Sequence, residues 1–253
     1  MALALPLSLS SFFDTLKVRS APFLLVEQQE YSGLGTGEGI AHDLAPRLWE
    51  AAVQSAPMPL EEAQAILARI DALDGAVNAF YAYNPAKAYP AADPDGSKLG
   101  AATPTIYAIA DNRKEFQVTG LPPGYVLTAG DMVAVDYGTP PRRALVRLVT
   151  GAAANNLGLT PMVEARPHLR PGITAGLPIG LRKPAMKAKI VAGSLSSSHD
   201  LMVTGTVSFT MRQTLAAGGV TDIYYPVPPL PVPVPSPSLD FSLDTNSQYL
   251  AVL

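Results

Sequence analysis

Several short stretches of the chain carry side chains of the types that catalysis and ligand binding use. Glycines alternate at 33, 35, 37 and 39 in Ser32-Gly33-Leu34-Gly35-Thr36-Gly37-Glu38-Gly39, a superficial match to a phosphate-cradling loop. A dinucleotide fingerprint needs a helix to follow at once and aim its N-terminus at the pyrophosphate; Pro46 and the mixed pattern after Ile40 deny that, and no Gly-Lys-Ser or Gly-Lys-Thr occurs. The run reads instead as a mobile loop at the tip of a hairpin, because glycine supplies backbone freedom and nothing to pack. Ser196-Ser197-Ser198-His199-Asp200 gathers a nucleophile, a base and an acid by type. Triad members converge from separate loops, and no Gly-x-Ser-x-Gly elbow surrounds these serines, so a polar turn between strands is expected.

His42 and His168 each lack a second histidine at ligand spacing, which argues against zinc. Asp111, Glu115, Asp131 and Asp136 supply carboxylates for a glycosidase-type pair, but their places beside turns predict solvent-facing or turn-capping roles. Arg182, Lys183, Lys187 and Lys189 form a locally basic stretch around Pro184, expected as a solvated face. Phe80, Tyr81 and Tyr83 alternate as a strand does, and suit core plus interface better than a sugar-stacking platform. No catalytic, cofactor-binding or metal-ligating residue is assigned, and no cofactor is expected.

The elements that would position these groups must come from a chain of 253 residues, 48% apolar and 15% charged, which is too hydrophobic for wholesale disorder. Its 18 basic and 21 acidic residues leave a net charge of −3, so no global field draws it to nucleic acid or an anionic membrane. The lack of cysteine removes disulfides, thiolate metal sites and thiol catalysis together. Residues 1–9 are apolar but have no basic n-region and contain Pro6, a poor secretory signal. No stretch reaches the roughly 20 uninterrupted apolar residues of a spanning helix. With 25 prolines and 20 glycines, many turns and extended segments are expected.

Residues 18–26 read as a strand, and 44–53, broken by Pro46, as an edge strand with a bulge. Pro59 suits a first helical position, and Leu60, Ala63, Ile66, Leu67, Ile70 and Leu73 follow at helical spacing. Glu61 and Glu62 complement the helix dipole, and Gly75 is placed to end the helix in the left-handed region. A strand over 77–83 follows, then a loop over 86–103. Beyond it short strands recur at 105–110, 115–119, 132–137, 144–149 and 162–165, separated by turn residues, the pattern of an antiparallel sandwich or barrel. Strands at 188–191 and 201–213 close the folded part. Residues 226–237 hold seven prolines in twelve positions and predict an extended polyproline rod. The fold class expected is α+β, mostly β, with one packed helix.

The order of these features resembles the distal tail protein of bacteriophages with long non-contractile tails and of gene transfer agents. The resemblance spans about residues 15–215. It rests on Arg47-Leu48-Trp49, the helix closed by Gly75, Val77-Asn78-Ala79-Phe80 leading to Asn84-Pro85, Leu121-Pro122-Pro123-Gly124 with Ala129-Gly130-Asp131, and the strand after Arg143. Glu164-Ala165-Arg166-Pro167-His168-Leu169-Arg170 and Arg182-Lys183-Pro184 complete it. It implies a tail-tube-like, ring-forming domain from residues 1–104 and 171–217, a β-rich insertion over 105–170, and an extended Pro-rich C-terminal arm over 218–253 that departs from the family pattern. The function implied is that of a non-enzymatic virion component, assembled in the host cytoplasm and placed at the distal end of the tail. Copies form a ring, usually of six, between the tail tube protein and the tail-tip hub protein, with tail fibre proteins as further partners. DNA is only cargo through the lumen, and no membrane insertion is implied. The rival reading is a carbohydrate-binding adhesion module in the insertion, using exposed aromatics at Tyr107, Phe116, Tyr125 or Tyr137; a hydrolase built on Asp131 or Asp136 is a more distant one.

Overall fold

The structure, a computed structural model, describes residues 3–33, 35–200 and 203–217. The Pro-rich arm therefore lies outside the described residues. In chain order the first strands are β1 (Val18–Ser20), β2 (Phe23–Gly33), β3 (Gly39–Ser55) and β4 (Met58–Pro59), followed by the helix α1 (Leu60–Asp71) and β5 (Phe80–Tyr83). Then come β6 (Thr105–Ile109), β7 (Glu115–Thr119), β8 (Val126–Leu127), β9 (Met132–Tyr137), β10 (Arg142–Leu148), β11 (Ala152–Ala153), β12 (Val163–Arg166) and β13 (Ile179–Gly180). The last are β14 (Ala185–Ile190), β15 (Ser196–His199) and β16 (Thr204–Gln213). The protein is α+β and mostly β, with one α-helix among the described residues.

One antiparallel sheet runs β1-β3-β16-β14-β5, with β2 paired to β3, and β15 and β4 paired to β16. It joins early strands to late ones. α1 lies against β16 and buries Ala63, Ile66 and Ile70, the stripe that three- and four-residue spacing predicts. Gly205 permits that approach: a Cβ there would stand 2.7 Å from the Cβ of Ala63. Past the helix Gly75 takes a φ of +66°, and Asp74 before it +50°, so two left-handed residues turn the chain toward β5. β5 is shorter than expected, because residues 77–79 belong to that turn.

The N-terminal apolar segment belongs to this core. Leu7 bridges Phe80, its N–H donating to the Ala79 carbonyl and its carbonyl accepting from the Tyr81 N–H. Phe12 packs edge-on to Phe80 at 5.0 Å and stacks on Phe209 at 6.3 Å. Burying such aromatics contributes about 1.5–3 kcal/mol each.

A second sheet runs β13-β9-β10-β12-β7-β6. Its two ends meet: Thr105 at the start of β6 bridges Pro178, beside β13, and the Ile106 N–H donates to the Leu177 carbonyl. The result is a nearly closed six-stranded barrel filled by side chains that include Ile106, Phe116, Val118, Val133, Val146 and Val163, as small barrels are. Its core runs from Leu99 to Leu181. β13, within the stretch 171–217 that the sequence reading grouped with the other sheet, thus pairs with β9; two residues carry no alternation by which to place them. The antiparallel barrel texture expected over 105–165 is present, with β7 and β9 at the expected bounds.

β9 and β10 join the two cores. Along β9, Val133 and Val135 point into the barrel while Met132 and Ala134 pack with the first core; along β10, Ala144, Val146 and Leu148 point inward and Leu145 outward. Arg143 and Arg147 share the outward face of Leu145. They lie over the rings of Tyr81 and Trp49, each 4.6 Å from the ring centroid.

Candidate functional site

The most unusual surface is the ribbon formed by β2 and β3. The strands pair from Phe23↔Ala51 at the root to Gly33↔Gly39 at the tip. At the root β3 is flanked by β16 on its other side, through pairs from Glu50 to Gln54, and Phe23, Trp49, Ala51 and Val53 are buried. β3 is thus an interior strand over 50–54, which corrects the edge placement expected there. Farther out, over 44–48, it pairs with β2 alone, and the ladder slips between Val26↔Leu48 and Gln28↔Ala45, the bulge expected around Pro46, whose missing N–H interrupts the ladder. The Pro46 carbonyl accepts from Gln28 Nε2 at 3.2 Å.

Beyond that bulge no third strand joins the pair among the described residues. Both faces meet water. Tyr31, Ile40 and Leu44 are between 64% and 68% exposed, with Ile40 on one face and Tyr31 on the other. The Tyr31 ring lies over Gly39, where a Cβ would approach it to 2.1 Å, so the glycine run serves the tip of a hairpin.

The residues singled out for chemistry are not brought together. Ser196–His199 form β15 rather than a turn, paired residue by residue with β16. Ser198 shares a 2.7 Å hydrogen bond with Thr206 Oγ1 across the strands, and strand alternation sends its side chain to the face opposite His199. The region is an exposed Ser/Thr ladder. Asp131 is fully buried; it accepts from the Thr128 N–H at 2.7 Å, Thr128 Oγ1 at 2.9 Å and the Ala91 N–H at 2.9 Å, with Lys87 Nζ 3.8 Å away. It caps a turn from inside rather than facing solvent. Asp136 is held by Arg143 through both carboxylate oxygens, and Asp111 is exposed on the turn after β6.

The basic stretch is a solvated face only in part. Arg182 is exposed and donates to the carbonyls of Gly96 and Gly100, and the part-exposed Lys183 pairs with Asp14 at 2.9 Å; Lys187, by contrast, is buried, its ammonium donating to the Ala216 carbonyl and its pKa pushed down by burial. Of the aromatics proposed for a glycan platform only Tyr107 is exposed. Phe116 and Tyr137 are buried in the barrel, because the alternation that marks a strand also turns alternate residues inward, and Tyr125, on the turn before β8, is buried with them, its hydroxyl donating to Asp93. Phe80 lies in the core, as expected, and Tyr81 and Tyr83 are half-buried against Arg143 and Phe13.

Sequence reading missed Asp93, a fully buried carboxylate in the loop before the barrel. It accepts from the Lys98 and Leu99 N–H groups, each at 3.0 Å, and from the Tyr125 hydroxyl at 3.1 Å. Only the Pro94-Asp95-Gly96 turn signal beside it gave a hint. Arg113, with a φ of +53°, donates to the carbonyls of Leu169, Arg170 and Ile173 and ties down the segment after β12.

Among the described residues no three His, Cys, Asp or Glu side chains gather as a metal site, and no helix is long and apolar enough to cross a membrane. The chain matches no protein-family model and no curated protein.

Proposed function

We propose that the chain is a structural ring-forming protein, the distal tail adaptor that joins tail tube to tail-tip hub in a virion with a long non-contractile tail. The observation that carries this reading is the β2–β3 ribbon. A two-stranded ribbon alone is marginal in water, and this one also holds large apolar side chains in solvent on both faces. Such a feature gains stability from a third partner, and a second copy of the chain, repeated around an axis, supplies one at every position. The sequence resemblance supplies the setting: a ring, usually of six, with the tube protein above, hub and fibre proteins below, and DNA passing through. The mostly β fold with its packed helix is compatible with that setting.

Native mass spectrometry and electron microscopy of the full chain test the reading. Closed rings are expected, and the double substitution Ile40→Lys with Leu44→Lys is expected to leave monomers of unchanged melting temperature. A wild-type chain that stays monomeric at tens of micromolar, with the same mass distribution as the variant, removes the basis for the ribbon as the coupling element.

A further inference from the structure

Where the root of the ribbon faces the end of β12, a groove of about 410 Å³ opens to solvent between Pro46 and Arg47 on β3 and the segment Arg166 to Arg170. Three arginines line it, Arg47, Arg166 and Arg170, together with the exposed His168; Asp43 is the one acidic residue in the lining. These side chains come from distant parts of the sequence, so the convergence is a product of the fold. Two of the arginines are already balanced: Arg47 lies 3.3 Å from Glu27, and Arg166 pairs with Glu164. Arg170 is not. It is half-buried, its Nη2 donates to the Arg47 carbonyl at 2.6 Å, and it forms no ion pair among the described residues.

The imidazole records the local field. Burial, then Arg166, Lys114 and Arg47, hold His168 below the ordinary histidine range, and Asp43, the smallest influence, opposes them. Gln29 Nε2 already occupies Asp43 Oδ1 at 2.6 Å.

We infer that this groove is a binding site for a doubly charged tetrahedral oxyanion, phosphate or a phosphomonoester. Arginines stand on both walls, Arg47 on one and Arg166 and Arg170 on the other, and a tetrahedral dianion presents more acceptor sites in more directions than a planar carboxylate. An anion seated there supplies the negative charge that Arg170 lacks, and favours the imidazolium of His168. The site stands apart from the ring reading and does not depend on it.

The experiment follows the His168 imidazole resonance by NMR in the full chain, assigned by its loss in His168→Gln, as pH is varied with and without inorganic phosphate at constant ionic strength. Phosphate is expected to raise the His168 pKa saturably by roughly half a unit or more, since a bound anion and a bound proton must favour each other. Arg170→Gln is expected to weaken phosphate binding by roughly tenfold or more. Arg166→Gln, at a residue without a bond to the Arg47 carbonyl, gives a second reading should the first variant fail to fold. Arg19→Gln on β1 is expected to change nothing. The inference is overturned by an absence of saturable response, by an equal response to acetate, or by a full response in both arginine variants.

Discussion

Two hairpins in this molecule have similar backbone ladders and opposite surroundings. β9 and β10 pair without a slip from Arg142↔Tyr137 to Arg147↔Met132, and both faces are covered, one by the barrel interior and the other by the first sheet. β2 and β3 make a longer ladder, yet from Glu30 outward every described residue of the pair is exposed. Main-chain hydrogen bonds exchange water partners for protein partners and contribute little net, so the ladder alone does not decide how stable a hairpin is. Burial does. The covered hairpin is where the protein is held together, and the bare one is where it has surface left to give to a partner.

The difference can be attacked most forcefully at Leu145, the outward-facing residue of β10 that reaches the first core. Leu145→Ala is expected to destabilise the monomer by about 2–5 kcal/mol in denaturant unfolding, because it empties a site packed from both sides. A loss below about 1 kcal/mol would mean that the two cores are not joined through β10.

A smaller effect is expected at Tyr125. Burial first, and donation of its hydroxyl to Asp93 second, push its phenol well above the ordinary value of about 10. The folded protein therefore keeps a proton that the unfolded chain releases near pH 10. The stability tied to that proton is whole below the unfolded value and is lost as pH rises toward the folded one. Tyr125→Phe is expected to cost about 1 kcal/mol at neutral pH and to show a shallower loss of stability in alkali than the wild type. Parallel alkaline profiles would contradict the assignment.

The smallest effect belongs to the bare hairpin. Leu44→Ala is expected to change monomer stability by no more than about 0.5 kcal/mol, since that side chain is already in water, and thermal unfolding of dilute protein measures it. A cost comparable to that of Leu145→Ala would show that Leu44 is covered within the monomer, and the ribbon would lose its claim to a partner.

Elements whose register is written in alternation or helical spacing were legible from residues alone. α1, β7 and β16 are examples: each has residues repeating at its own period, and its buried face follows from that period. The site was less legible. Pro46 predicted an edge strand with a bulge; the bulge is there, but the edge does not extend over 50–54, because proline forbids one hydrogen bond without saying whether the rest of the strand is central. Aromatic type and strand position did not tell Tyr107, which is exposed, from Phe116, Tyr125 and Tyr137, which are buried. The arginines at 47, 166 and 170 had no common motif, and their convergence depends on where β3 and β12 lie in space.

The sequence by itself determined a mostly β protein with one helix after Pro59 and a barrel-like run of short strands, since these depend on local period and turn chemistry. Only the tertiary structure decided that Leu7 and Phe12 belong to the core, that Arg182, Lys183 and Lys187 serve as struts, and that a two-faced ribbon stands in solvent beside an arginine-lined groove. The physical reason is that burial and charge balance are set by neighbours distant along the chain, and a local pattern cannot name its neighbours.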